Sequence, residues 1–230
     1  MIYAPHIPLG GFKFLLLWFK IAVKKREGCL KPMIEKKDVI EFFNTHAPTW
    51  DEELVFSDYK INTILDNAGV CSGQKLLDIA CGTGVVIPFY LERGAASVTG
   101  VDISPEMIKI AREKFTSDKV SFICADAECD DIGSGYDAIV IYNAFPHFPN
   151  PEGLNSRLAG LLNQNGTLTV AHGMSRETID AHHRSAAHAV SNGLMRAEEL
   201  AELFGKYLKV TCVISDDEIY QVAGKLIPEL

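Results

Sequence analysis

From Lys75 onward, short runs of apolar and β-branched residues alternate with longer helix-like stretches, and this rhythm constrains the fold more than any other feature of the chain. The strand candidates are 75-KLLDI-79, 98-VTGVD-102, 120-VSFICA-125, 136-YDAIVIY-142 and 167-TLTVAH-172, with helical patterns over 85–93, 104–116 and 151–163 between them. Strands separated by helices cannot pair as hairpins, so they build a parallel sheet through right-handed crossovers. Two helix starts are marked by Ser104-Pro105-Glu106 and Asn150-Pro151-Glu152, each with a capping side chain ahead of a proline at the first helical position. A helical lead-in covers 33–68 and a further helical region lies near 176–206. The tail differs, because 209-KVTCVISDDE-218 and 218-EIYQVAGKL-226 read as two strands joined by an acidic turn. The pattern predicts an α/β domain: a mostly parallel seven-stranded sheet, helices on both faces and a C-terminal antiparallel hairpin.

In open sheets of this kind ligands bind beyond the carboxyl ends of the strands. The first strand ends unusually. Residues 76-LLDIACGTGVVIP-88 pass from an apolar run to an aspartate and then to Ala80-Cys81-Gly82-Thr83-Gly84, where side chains nearly vanish. Glycines at 82 and 84 remove the β-carbons that would hold a ligand off the backbone between strand and helix. Dinucleotides and S-adenosylmethionine (SAM) both use such turns. The dinucleotide fingerprint G-x-G-x-x-G needs a third glycine at 87, where the chain has Ile87, and Asp78 beside the turn repels a pyrophosphate. A NAD-type oxidoreductase is therefore the weaker alternative. The same carboxylate suits a ligand's ammonium group.

These residues resemble the class I SAM-dependent methyltransferases, whose first strand ends on an acidic residue within the form D-x-G-x-G-x-G. Residues 78-DIACGTG-84 follow that form with Ala80 in place of the first glycine. The resemblance implies a Rossmann-like sheet, SAM as cofactor and a set of contacts to it. Asp102, ending the second strand, takes the ribose hydroxyls; Asp126, in 123-ICADAE-128, accepts from the adenine amino group; Ile103 covers the adenine face. Asp78, Ala80, Gly82 and Gly84 form the turn, and Ala127 and Asn143 lie on neighbouring strand-end loops. The stretches 136-YDAIVIYNAFPHFPNPE-152 and 161-LLNQNGTLTVAH-172 are similar to the family's fourth strand with its loop and to its turn into strand five. Upstream, 42-FFNTHAPTWDEE-53 resembles the lead-in of the ubiquinone/menaquinone-type branch, where an aromatic-Asp pair, here Trp50-Asp51, closes over the methionine end of SAM. Read without the resemblance, Asp78, Asp102 and Asp126 are solvated caps of strand ends. A SAM-binding protein without catalysis would carry every one of these cofactor motifs.

The sulfonium of SAM is already strongly electrophilic, so the protein chiefly aligns donor and acceptor and removes a proton where the acceptor carries one. His147, after strand four, and His172, at the end of strand five, are the candidate bases, each with a plain alternative as a hydrogen-bonded wall residue. Residues 145, 147, 148, 172, 174 and 182 are aromatic, Met or His and suit a mostly apolar pocket for a small-molecule acceptor. Arsenite, held by soft thiolates, is a lesser candidate, since Cys81, Cys124 and Cys129 fall on the cofactor side. His182, His183 and His188 lack the i, i+4 spacing of a helical metal site, so no metal is expected.

The formal charge of −8 is unevenly placed, because residues 1–32 hold six Lys/Arg against one Glu while residues 33–230 carry a net −13. That acidic body repels a phosphate backbone and argues against nucleic acid as partner. Six cysteines without a CxxC pair fit thiols kept reduced in the cytoplasm. The run 14-FLLLWFKIAV-23 is too short to span a bilayer, and the dense charge of Lys24-Lys25-Arg26 follows it, the reverse of a signal peptide. Residues 1–32 are then either a poorly ordered extension ahead of a domain at 33–230 or a weak interfacial anchor. The expectation is a cytoplasmic enzyme, a monomer or homodimer, without stable membrane insertion.

Overall fold

Seven strands hydrogen-bond into one sheet in the order β3-β2-β1-β4-β5-β7-β6 in the computed structural model, which describes residues 34–227. They are β1 (Lys75–Ile79), β2 (Ser97–Asp102), β3 (Val120–Cys124), β4 (Tyr136–Tyr142), β5 (Leu162–His172), β6 (Lys209–Ser215) and β7 (Tyr220–Lys225). The first five run parallel, and β7 is antiparallel to both β5 and β6. The fold is the Rossmann-like α/β architecture with a terminal hairpin. The apolar run at 14–23 and the boundary at 32/33 lie outside the described residues.

The helices are α1 (Lys36–His46), α2 (Trp50–Glu53), α3 (Asp58–Asn67), α4 (Ile87–Glu92), α5 (Pro105–Lys114), α6 (Pro151–Ala159), α7 (Arg176–Ala186) and α8 (Ala197–Phe204). Ser104 and Asn150 cap α5 and α6 through side chains that accept from Met107 N and Gly153 N, ahead of Pro105 and Pro151. None of the helices among the described residues is long and apolar enough to cross a membrane.

The strand pleat divides the core in two. Leu77, Ile79, Ile139, Ile141, Leu168 and Val170 fall on the face covered by α6 and α8, and Leu76, Val98, Ala138 and Val140 fall on the face covered by α3 and α4. Asp78 alternates with Leu77 and Ile79, so its side chain goes to the α4 face, not over the strand end. Strand β5 begins at Leu162, five residues before the β-branched run that predicted it. There the chain turns at Asn165, in the left-handed region at φ 65°, and Tyr136 pairs with Leu162 before the register shifts.

The topology reverses between β1 and β4, since the chain builds outward through β2 and β3 and then returns to the other side of β1. A cleft opens at such a switch point, outside the carboxyl ends of the strands.

Candidate active site

A cleft open to solvent lies at these strand ends, walled by the loops after β1 to β4 and by α1 and α2. Its first wall is the glycine turn. Ala80 and Gly82 both line it with φ of 54°, and Gly82 N donates to Asp102 Oδ2 at 2.9 Å. Asp102 also accepts from Ser104 N at 2.8 Å, so two strand-end loops hang on one carboxylate. Burial pushes its carboxyl up to about 6, and the backbone N–H donors hold it from rising further.

Gly84 serves a different purpose. A β-carbon there would sit 2.5 Å from the Phe115 ring, at φ 93°, and the residue does not line the cleft. Its missing side chain makes room for core packing, whereas that of Gly82 leaves backbone bare at the cleft wall, where a β-carbon would stand 3.8 Å from Trp50 Nε1.

Asp78 is also set back from the cleft. It is 2% exposed, with Tyr90 Oη 3.4 Å from Oδ1. Burial first, then the nearby charge of Asp102, push it up to about 8, against a lowering hydrogen bond from Tyr90.

The far end of the cleft is lined by Ile103, Ala125, Asp126, Ala127 and Glu128. Lys36 of α1 reaches across it to Asp126 at 2.5 Å and to Glu128 at 2.8 Å. Asp126 also accepts from Glu128 N and contacts Cys129 Sγ. Burial would raise the Asp126 carboxyl, but the Lys36 ammonium and these donors hold it below the usual range. Nothing in the sequence singled out Lys36, which lies 90 residues from its partner.

The near end is aromatic. Phe43 of α1 meets Trp50 edge to face at 5.6 Å and His147 at 5.1 Å. Tyr142, Asn143, Phe148 and Leu54 complete it. Asn143 sits at φ 54° with its Oδ1 accepting from Gly173 N, and His147 Nδ1 lies 2.7 Å from Val190 O.

Of the two candidate bases, His147 lines the cleft and His172 does not: it is 2% exposed in β5, cross-strand from Tyr220 with ring centroids 5.8 Å apart. Of the six residues expected to wall an acceptor pocket, His147 and Phe148 do so. Phe145 is in the core, Met174 and the buried His172 lie away from the cleft, and His182 is exposed. Among the described residues no three or more His, Cys, Asp or Glu gather as a metal site.

The chemistry of these walls fits SAM. A bare turn at Gly82, a carboxylate at Asp102, apolar side chains at Ile103 and Met107 and a second carboxylate at Asp126 all line the cleft. A pyrophosphate in the same place would face three lining carboxylates, those of Asp102, Asp126 and Glu128.

Comparison with known proteins agrees. Residues 76–166 match the family described as a methyltransferase domain. A malonyl-[acyl-carrier protein] O-methyltransferase of Acetivibrio thermocellus is 32% identical over 139 residues, 59% of this chain and 49% of that protein. A ubiquinone biosynthesis O-methyltransferase of Photobacterium profundum is 27% identical over 143 residues, 58% of this chain and 60% of that protein. The chain thus spans about half the length of these relatives. Among solved structures, a chain from the Haloferax volcanii complex with the Trm112 methyltransferase activator superposes with a TM-score of 0.73 at 19% identity, covering 84% of this chain and 99% of that one. The N-methyltransferase NodS of Bradyrhizobium japonicum, in complex with S-adenosyl-L-homocysteine, gives 0.63 at 13% identity, covering 82% and 100%.

Proposed function

We propose that this class I methyltransferase domain transfers a methyl group from SAM to a small organic acceptor by direct displacement. The observation that carries the reading is the Gly82 N to Asp102 Oδ2 hydrogen bond, which brings the bare turn and the second-strand acid to one cleft wall at the topological switch point. Asp102 then holds the ribose hydroxyls, Ile103 and Ala127 flank the adenine, and Asp126, held by Lys36, faces its amino group. Ala80 and Gly82 offer backbone to the methionine end, with Trp50 and Asn143 across from them. Gly84 and Asp78 act from behind, one shaping the turn and the other setting its electrostatics.

SAM supplies an electrophilic methyl group: the acceptor's lone pair bonds the methyl carbon while the C–S pair returns to sulfur, leaving S-adenosylhomocysteine. The rest of the work is alignment, at the aromatic end of the cleft. Two relatives are O-methyltransferases by name, which supports an oxygen acceptor. The acidic body at residues 33–230 supports a small molecule over nucleic acid. Free cysteines at 71, 81, 124, 129 and 212 support a cytoplasmic setting. In this reading residues 33–230 are the catalytic domain, residues 1–32 an extension, and a monomer or homodimer the working form.

Titration calorimetry of the full chain with SAM and S-adenosylhomocysteine tests the reading. Both should bind, NADH should not, and Asp102→Ala should weaken binding by about 1.5–3 kcal/mol, the scale of hydrogen bonds to a charged group. Absence of heat with either ligand removes the central claim.

A further inference from the structure

The sheet ends on a strand whose sequence is complementary to itself. β6 is last in the strand order and, among the described strands, hydrogen-bonds to β7 alone, so the N–H and C=O groups of its other edge point outward. Every second residue of it, Lys209, Thr211, Val213 and Ser215, is exposed, Val213 by 45%, whereas β7 beside it is buried from Tyr220 to Gly224. Sheet edges are commonly guarded by proline, by a charge within the strand or by a bulge. Residues 210–215 hold neither proline nor charge, and the bulge at Thr211 lies near the strand's start, leaving Cys212–Ser215 as a regular ladder.

The charges stand at the two ends, with opposite sign. Lys209 opens the strand, and the turn that follows it is Asp216-Asp217-Glu218, all exposed. Lys60 already binds Glu218 at 2.7 Å. A second copy of this strand laid parallel would set lysine on lysine and acid on acid, whereas laid antiparallel it sets Lys209 of each copy against the acids of the other. Opposite charges facing across a strand pair stabilise it and like charges do the reverse, and a two-fold axis supplies the favourable match twice.

We propose that β6 is a homodimer interface, through which two copies join antiparallel into one continuous sheet centred on Val213. A two-fold axis through an antiparallel ladder makes one residue face its own counterpart. With Val213 on the axis, the two exposed valines cover each other and Cys212 faces Ile214 of the second copy. Lys209 then comes opposite Asp217 of the second copy, or opposite Asp216 once the extra residue of the bulge is counted. The cleft stays open in such a dimer, because β5 and β7 separate β6 from the strands that end at it.

Sedimentation equilibrium of the full chain tests this. A monomer–dimer equilibrium in the micromolar range or weaker is expected, since an edge contact is smaller than a standard interface, and it should move toward monomer as salt rises. Lys209→Glu and Asp217→Lys should each weaken the dimer roughly tenfold, because each sets like charges against one another at both ends. Mixed in equal amounts, the two variants should recover a heterodimer, which a loss of folding or solubility would not produce. Melting temperature should hold in both. Val213→Cys should form, on mild oxidation, a disulfide between the two residues 213, whose Cα atoms lie about 4.5–5.5 Å apart in such a pair. Ser215→Cys, which faces Thr211 of the second copy, should not link to itself, and peptide mapping distinguishes these links from any through the exposed Cys71, Cys124 and Cys129. A monomer at up to about 1 mM, no recovery on mixing, or self-linking at 215 in place of 213 each overturns the proposal.

Discussion

Thr83 Oγ1 donates to Asp51 Oδ1 at 2.5 Å, joining the glycine-rich turn after β1 to the short helix that carries Trp50. Lys114 of α5 binds the other oxygen of Asp51 at 2.8 Å. Burial would raise this carboxyl, but the Lys114 and Thr83 hydrogen bonds bring it below its usual value, so Asp51 is the fixed point between the wall and the cover of the cleft.

Loosening that point should loosen Trp50. Thr83→Val and Asp51→Ala are each expected to weaken SAM binding by up to about 1.5–3 kcal/mol, because each removes the hydrogen bond from Thr83 to the Asp51 carboxylate. A double-mutant cycle by calorimetry should give a coupling of about 0.5 kcal/mol or more, as expected for contacting groups. Strict additivity would mean that the two residues act on the cofactor independently.

Ala80 occupies a glycine-like conformation at φ 54°, at the place where the family pattern has glycine. Left-handed backbone costs a non-glycine residue about 1–2 kcal/mol, while replacing alanine by glycine returns about 0.4–1 kcal/mol of unfolded-state entropy. Ala80→Gly should therefore be neutral or stabilising by up to about 1.6 kcal/mol in thermal denaturation. Gly84→Ala should instead destabilise by about 2–4 kcal/mol, adding the same backbone strain to a ring contact at 2.5 Å. Equal responses at the two positions would refute the distinction between them.

The strands were legible because apolar runs of this length between helical stretches have few other uses, and the acids at 102 and 126 were legible because strand ends are where such sheets bind. What sequence order could not supply is direction. Asp78 and Asp102 both lie at strand ends, yet the pleat turns Asp78 onto the α4 face beside Tyr90 while Asp102 reaches the cleft. His147 and His172 likewise looked equivalent, yet His147 lines the cleft while His172 packs within the sheet against Tyr220. Lys36 left no local signal at all, since its meaning arises from a pairing with Asp126 across 90 residues.

That pairing predicts an acid response. The folded Asp126 carboxyl is depressed relative to its unfolded value of 3.8, so the stability it contributes is present above that value and is lost as pH falls through the folded pKa. In Lys36→Met, burial acts with less opposition, and the Asp126 titration followed by carboxyl NMR should move upward. An unmoved titration would mean that the backbone donor at Glu128 and the Cys129 contact suffice by themselves.

Asp78 should give the opposite slope. Its folded carboxyl lies at about 8, above the ordinary 3.8, because burial outweighs the Tyr90 hydrogen bond and Asp102 adds like charge. A raised carboxyl favours the protonated form in the folded state, so its stability contribution is complete below pH 3.8 and is lost as pH rises toward 8. Asp102, at about 6, acts with the same sign over a narrower range. The ligand-free protein should therefore lose stability between pH 5 and 8, at up to about 1.4 kcal/mol per pH unit for each group that stays protonated only in the folded state. Asp78→Asn, which keeps the shape and cannot ionise, should flatten most of that slope in melting experiments across the range. A cation brought near the turn reverses the preference, so SAM binding should release a proton from Asp78, seen as a binding enthalpy that depends on the buffer's ionisation heat. If Asp78→Asn leaves both the slope and the buffer dependence intact, the carboxylate is already charged in the free protein and the turn is polarised by Asp102 alone.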